Sequence, residues 1–115
     1  VEKTMIRLTV FYNLPEGTDE NEYLEWRLGD HQESNSSMEG VIRTDFMRID
    51  ETVPLGASVP YRFMTIVEWP DRESYEKSFY AEAVQTRLQE NLKKIADPMF
   101  LIGEVLTETI NETGE

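Results

Sequence analysis

The first stretch of the chain alternates apolar and polar side chains with a period of two. In residues 4–14, apolar side chains occupy every second position and so share one face: Ile6, Leu8, Val10 and Tyr12. Period two, together with β-branched and aromatic content, predicts a strand. Similar signals predict three further strands over residues 41–50, 60–69 and 99–109.

A helix is predicted after the first strand. Thr18 is a candidate N-cap, and the acidic residues that follow it suit the positive end of a helix. We expect this helix to run through Leu28 and to end in the serine-rich residues 34–37.

A second helical region is predicted after the third strand. Asp71 can cap it, and Tyr75 and Phe79 follow one turn apart. In residues 81–96 the apolar side chains recur at helical spacing, at Val84, Leu88, Leu92 and Ile95. Pro98 is expected to end this helix.

The predicted order β-α-β-β-α-β is that of a ferredoxin-like α+β unit with a four-stranded antiparallel sheet. Both helices then cover one face of the sheet, and the other face, which includes Phe11, is left open. A second copy of the chain is the simplest cover, so we expect a homodimer. Residues 1–110 are expected to form one domain with a frayed tail at 111–115, and the linker 51–59 is expected to be mobile.

Composition and charge exclude several classes of function. The 115 residues include 23 Asp and Glu against 11 Lys and Arg, which gives a net charge of −12. Nucleic acid and anionic membranes would be repelled by such a chain. The absence of Cys excludes disulfides and thiolate catalysis. With no visible signal peptide and no long apolar run, we expect a cytoplasmic protein.

Motifs for metals and nucleotides are also missing. The single histidine lacks any metal-ligand spacing, and there is no glycine-rich phosphate loop. We therefore expect no metal and no cofactor.

Three stretches carry a family resemblance: MIRLTVFYNLPEGTDENEYLEWRLGDH, YRFMTIVEWPDRESYEKSF and IADPMFLIGEVL. Through them the chain resembles the dimeric α+β barrel superfamily, and within it the REDY-like (HapK-like) group, close to the EthD-like proteins. EthD-like relatives keep an aromatic pair followed by a histidine, which here are Tyr23, Trp26 and His31. The resemblance implies a pocket between the helices and the sheet. Members of the superfamily include cofactor-free monooxygenases, lactone isomerases, polyketide cyclases and accessory proteins of pigment or ether-degradation pathways.

His31 is the candidate for acid–base chemistry, because its ordinary pKa lies near neutrality. On a helical projection, Arg27 and His31 fall inside the apolar arc of the first helix. As a general base or acid, His31 would be oriented by Arg27 or Asp30. Alternatively, His31 lies beyond the helix end and caps its exposed carbonyls.

Other side chains are candidates for binding a ligand. Tyr12, Tyr23 and Trp26, with Phe79, could line a flat aromatic slot, or they could simply pack the core. Arg43 and Asp45 share one face of the second strand. They are pocket groups if that face meets the helices, and an interface ion pair if it meets the partner subunit.

These observations favour a cofactor-independent enzyme that acts on a small aromatic or polyketide-like metabolite by acid–base chemistry. His31 would be the base, and Tyr12 or Arg43 would lie nearest the oxyanion. The alternative is a non-catalytic binding or carrier protein of a secondary-metabolite or aromatic-degradation pathway.

Overall fold

The computed structural model describes residues 4–111 and contains four strands and four α-helices. The strands are β1 (Ile6–Asn13), β2 (Arg43–Arg48), β3 (Phe63–Trp69) and β4 (Ala96–Glu104). The helices are α1 (Glu20–Trp26), α2 (Gln32–Ser36), α3 (Arg72–Phe79) and α4 (Glu82–Leu92), with a π-helical turn at Arg27–His31 between the first two. The predicted α+β, ferredoxin-like order is confirmed.

The four strands form one antiparallel sheet in the order β2-β3-β1-β4. The two central strands, β1 and β3, are paired so that Leu8 lies opposite Val67 and Tyr12 lies opposite Phe63. Because side chains alternate along a strand, this register places the apolar faces of both strands on the same side of the sheet.

The helices cover that side, and the core lies between the two layers. Its fully buried members are mostly side chains of β1 and β3, with one aromatic residue from each of α1 and α3: Ile6, Leu8, Val10, Tyr12, Phe63, Val67, Trp69, Tyr23 and Tyr75. Strand positions at alternate residues supply this core because a pleated sheet presents every second side chain to one face.

The opposite face of the sheet is open and mixes apolar side chains with ion pairs. Met47, Met99 and Leu101 are exposed on this face. Arg7 pairs with the buried Glu68 beside them, with 2.6 Å between Nε of the arginine and Oε2 of the glutamate.

The first predicted helix differs from the expectation at its start and in its middle, whereas it ends at Ser36, within the predicted residues 34–37. The N-cap is Asp19 rather than Thr18, since the Asp19 carboxylate accepts a hydrogen bond from the backbone N–H of Glu22. The helix is also interrupted at Gly29, whose backbone dihedral angles are not helical. Leu28, through which the predicted helix runs, is 61% exposed.

The last helix and the last strand meet earlier than predicted. Asp71 caps α3 as expected, but α4 ends at Leu92, well before Pro98. Pro98 instead lies within β4, at the place where the register between β1 and β4 shifts. A proline is tolerated there because β4 is an edge strand and needs no complete hydrogen-bond ladder.

Within residues 4–111, none of the helices is both long and apolar enough to cross a membrane. The predicted frayed tail falls outside the described residues from residue 112 onward, and the mobility of the linker 51–59 stays a prediction.

Candidate functional site

A cavity of about 100 Å³ lies between the sheet and the helices. Its floor is formed by β1 and β3, and its walls by α1, the π-helical turn and α4. Six of the predicted site residues line it: Tyr12, Tyr23, Trp26, Arg27, His31 and Phe79. The location between helices and sheet is the one that the family resemblance implies.

His31 faces this cavity from the π-helical turn. Its ring stacks on Trp26, with 4.6 Å between the ring centroids and 26° between the planes. Its Nδ1 lies 3.2 Å from Nδ2 of Asn91, on α4. The backbone bends at Gly29, two residues before His31, but the ring nitrogen of His31 contacts the Asn91 amide rather than a carbonyl at a helix end. Two fixed neighbours on different elements hold its ring in one orientation.

The cavity keeps His31 neutral. Burial, which has the largest effect, and the positive charges of Arg27, Arg87 and Lys94 together lower the pKa of His31 from 6.5 to about 4. At neutral pH the imidazole therefore has one N–H donor and one nitrogen lone pair.

Arg27 is a buried cation, 1% exposed, at the start of the π-helical turn. Its guanidinium donates to Oε1 of Gln32 at 2.7 Å and to Oγ1 of Thr65 at 3.1 Å. The ring of Phe46 lies below it, 4.0 Å from Cζ to the ring centroid. Removing a cation from water costs several kcal/mol, of which a cation–π contact offsets about 2 kcal/mol.

Tyr12 and Tyr23 form a hydroxyl pair at the wall of the cavity. Their oxygens lie 2.7 Å apart, in the buried core. Burial raises the pKa of the Tyr23 hydroxyl, and the hydrogen bond with Tyr12 raises it further. Because the pair shares one hydrogen bond, one of its two O–H groups is still available as a donor.

Arg43 and Asp45 do not belong to this site. They form an ion pair with each other on the open face of the sheet, away from the helices. The register explains this placement, since Arg43 lies opposite Glu68 and Asp45 lies opposite Ile66. Our assignment of Arg43 to the oxyanion and of Asp45 to the ligand pocket is therefore wrong. Asp30 is exposed, and it is Asn91 that contacts His31.

Four polar residues of the cavity were missed: Asn35, Thr65, Arg87 and Asn91. All of them except Asn35 interrupt an apolar pattern. Arg87 and Asn91 lie three residues after Val84 and Leu88, the predicted apolar stripe of α4, and Thr65 lies between Phe63 and Val67 on β3. A polar side chain in an apolar stripe is a sequence signal for a cavity, because such a group needs a partner when buried.

In the part of the chain that the structure describes, no group of three or more His, Cys, Asp or Glu side chains could hold a metal ion.

Comparisons with solved structures show the same fold. An ethyl tert-butyl ether D (EthD) family protein from Bacillus halodurans C-125 is 18% identical, with a TM-score of 0.70 over 89% of this chain and 99% of that one. A dimeric ferredoxin-like protein of unknown function from Thermobifida fusca YX is 11% identical, with a TM-score of 0.66 over 90% and 92%. SnoaB, a cofactor-independent oxygenase from Streptomyces nogalater, is 9% identical, with a TM-score of 0.64 over 96% and 99%.

At these identities the likeness shows the fold alone, and none of the curated proteins matches the sequence. The model of the REDY-like protein HapK family matches residues 6–106, nearly the whole chain. This protein therefore belongs to the REDY-like HapK family.

Proposed function

We propose that this protein is a cofactor-independent enzyme that acts on a small aromatic or polyketide-like metabolite by acid–base chemistry. The observation that carries the proposal is the placement of its single histidine. His31 opens into an otherwise mostly apolar cavity, where it is neutral and is held between Trp26 and Asn91. A titratable side chain held in one position at a cavity is an arrangement that suits general acid–base catalysis. The oxygenase SnoaB is an example of cofactor-independent catalysis on the same fold.

The bond between His31 and Asn91 determines whether Nε2 of the ring is a hydrogen-bond donor or a base. If the Asn91 amide donates to Nδ1, the ring proton is on Nε2 and the imidazole is a hydrogen-bond donor. If the Asn91 amide is rotated by 180°, its oxygen faces the ring. Nδ1–H then donates to that oxygen, and Nε2 carries the free lone pair. Proton abstraction next to a carbonyl uses the second arrangement, because only then is Nε2 a base.

The developing oxyanion would be held by two groups of the same cavity. The free O–H of the Tyr12–Tyr23 pair is one donor, and the guanidinium of Arg27 is the second. Donors in fixed positions stabilise negative charge most strongly where water is excluded. Arg27 takes the role for which Arg43 was one of two candidates, the other being Tyr12.

The same proposal includes a homodimer. The open sheet face carries the exposed side chains of Met47, Met99 and Leu101, and the Thermobifida fusca protein of this fold is described as dimeric. Exposed apolar surface of this kind is usually covered by a partner.

Deuterium exchange tests the catalytic part. 2′-Hydroxyacetophenone, a one-ring aromatic ketone, would be incubated in D₂O with the protein, and loss of its methyl proton signal would be followed by NMR. We expect exchange that is protein-dependent and that falls by roughly 10²–10⁴ in His31→Gln, as loss of an acid–base group predicts. Arg72→Gln, on the exposed side of α3, serves as the matched control and should retain the rate. An equal rate in His31→Gln would remove this histidine from the mechanism.

One observation favours a second candidate, a non-catalytic carrier. A histidine whose pKa is about 4 is a weak base at neutral pH, and a carrier needs the cavity without the base. A carrier would bind the ketone, as measured by tryptophan fluorescence or calorimetry, without any exchange of its methyl protons.

A further inference from the structure

We infer that the ligand of the cavity is an organic anion, a one-ring aromatic or heteroaromatic carboxylate, and that its carboxylate pairs with Arg27. This inference rests on the proposed small-molecule function of the cavity and names the class of ligand.

The first observation is the sign of the charge around the cavity. The whole chain has 23 acidic residues and 11 basic ones. Among residues 4–111, however, no Asp or Glu lines the cavity, whereas Arg27 and Arg87 do. Lys94 lies at the same end, with its Nζ 5.1 Å from the centroid of the Trp26 ring. A strongly acidic protein therefore surrounds this one cavity with positive charge.

The second observation is that these cations lack carboxylate partners. Within the described residues, seven other Lys and Arg side chains each lie within 4.0 Å of a carboxylate: Arg7, Arg43, Arg48, Arg62, Arg72, Lys77 and Lys93. Among residues 4–111, no such pair involves Arg27, Arg87 or Lys94, although carboxylates are abundant there. The cations without a counter-ion in this part of the molecule are thus those that surround the cavity.

Arg27 is the strongest of the three as a binding group, because it is the most deeply buried. Its two hydrogen bonds go to the neutral side chains of Gln32 and Thr65, which hold the guanidinium in place without neutralising it. Arginine has five N–H donors, and its planar fork matches a carboxylate. A bound carboxylate would supply the missing negative charge beside a guanidinium that is only 1% exposed.

The shape of the cavity sets the size of the anion. Its volume of about 100 Å³ is of the order that one aromatic ring occupies, since an apolar cavity of about 150 Å³ holds benzene. Trp26, Tyr23 and Phe79 provide flat walls. Their faces suit a planar ring, and Arg27 suits its charged substituent.

A bound anion would also act on His31. The same three cations lower the pKa of His31, so a carboxylate among them should raise it. The pKa of His31 should therefore report the charge of a bound ligand rather than its shape.

Benzoate and benzamide test the inference, because they share a ring and nearly the same size but differ in charge. Their dissociation constants would be measured at pH 7 by calorimetry with the wild-type chain, with Arg27→Met, and with Arg72→Met as a control on the exposed surface. The His31 ring protons would be followed by NMR in both complexes. We expect wild type and Arg72→Met to bind benzoate at least about tenfold more tightly than benzamide, and benzoate alone to raise the pKa of His31. Arg27→Met should lose the preference.

Equal or tighter binding of benzamide by wild type would overturn the inference but leave the small-molecule cavity intact. Binding of neither probe would overturn the inference together with the proposed binding function. A full tenfold preference for benzoate in Arg27→Met would show that Arg27 is not the anion partner. The wild-type comparison needs no variant, so it decides the matter even if Arg27→Met does not fold.

Discussion

The hydroxyl oxygens of Tyr12 and Tyr23 lie 2.7 Å apart and join the central strand β1 to helix α1 inside the core. Tyr12 also packs against Phe63, with 5.5 Å between ring centroids. Sheet and helix are thereby connected by both a polar and an aromatic contact at the wall of the cavity.

Replacing both tyrosines of this pair should cost less stability than the two single replacements added together. Tyr23→Phe leaves the buried Tyr12 hydroxyl without its partner, and we expect a loss of about 1–3 kcal/mol in the free energy of unfolding. The double variant Tyr12→Phe/Tyr23→Phe removes both hydroxyls and should lose less than the sum of the single losses. Urea denaturation of the four proteins measures this coupling. Strictly additive losses would contradict a hydrogen bond between the two side chains.

The single histidine should titrate with a midpoint near pH 4, well below 6.5. Because the folded state binds this proton less readily than the unfolded chain, His31 contributes stability that is full above pH 6.5. That contribution is lost as the pH falls through about 4. NMR of the ring protons gives the midpoint without any assignment problem, since the chain has one histidine. In urea denaturation, the difference between wild type and His31→Gln should shrink from pH 7 to pH 4. A midpoint at 6.5 would show that the ring is exposed to water.

Asn91→Asp should reverse the shift of His31. The new carboxylate would lie beside Nδ1, at the place of an amide that is now 3.2 Å away, and would favour the imidazolium form. We expect the pKa of His31 to rise by about one to three units, measured by the same NMR titration. Gln89→Glu changes the net charge equally from an exposed position on α4 and should leave the midpoint nearly unchanged. Equal effects of the two substitutions would argue against a direct contact between Asn91 and His31.

Leu101→Glu should separate the proposed homodimer. Leu101 is 48% exposed on the open sheet face, opposite Thr9 of β1, so the monomer can tolerate a glutamate there while an apolar interface cannot. Light scattering after size exclusion should give the mass of two chains for wild type and of one chain for the variant. Leu28→Glu, at an exposed leucine near the helices, is the matched control and should remain a dimer. A monomeric wild-type chain would contradict the proposal directly.

Local pattern was sufficient for most of the fold. The alternation from Ile6 to Tyr12 identified both the first strand and its buried face, because a strand with one covered face has no other way to bury four apolar side chains. Asp71 was also predicted correctly as a helix cap, because capping depends only on residues close to it in the sequence. The position of His31 in the cavity was one of two alternatives that the helical projection left open.

Long-range pairing decided what local pattern could not. Alternation on β2 did not decide which face of the sheet carries Arg43 and Asp45. Their pairing with Glu68 and Ile66 places both on the face that the helices do not cover. Asn91 lies 60 residues from His31 along the chain, so their contact depends on how α4 packs against the π-helical turn. Neither relationship is contained in a short window of sequence.

The turn at Arg27–His31 contains a break in the helical backbone at Gly29, where φ is −95° and ψ is −106°. α1 and α2 are therefore two short helices joined by a bend, and this bend sets the direction in which α2 leaves α1. Just beyond it, His31 faces the cavity and Gln32 accepts a hydrogen bond from Arg27. A backbone that stayed regular at position 29 would carry both side chains away from these places, so the shape of the cavity wall depends on a bend at a residue with no side chain.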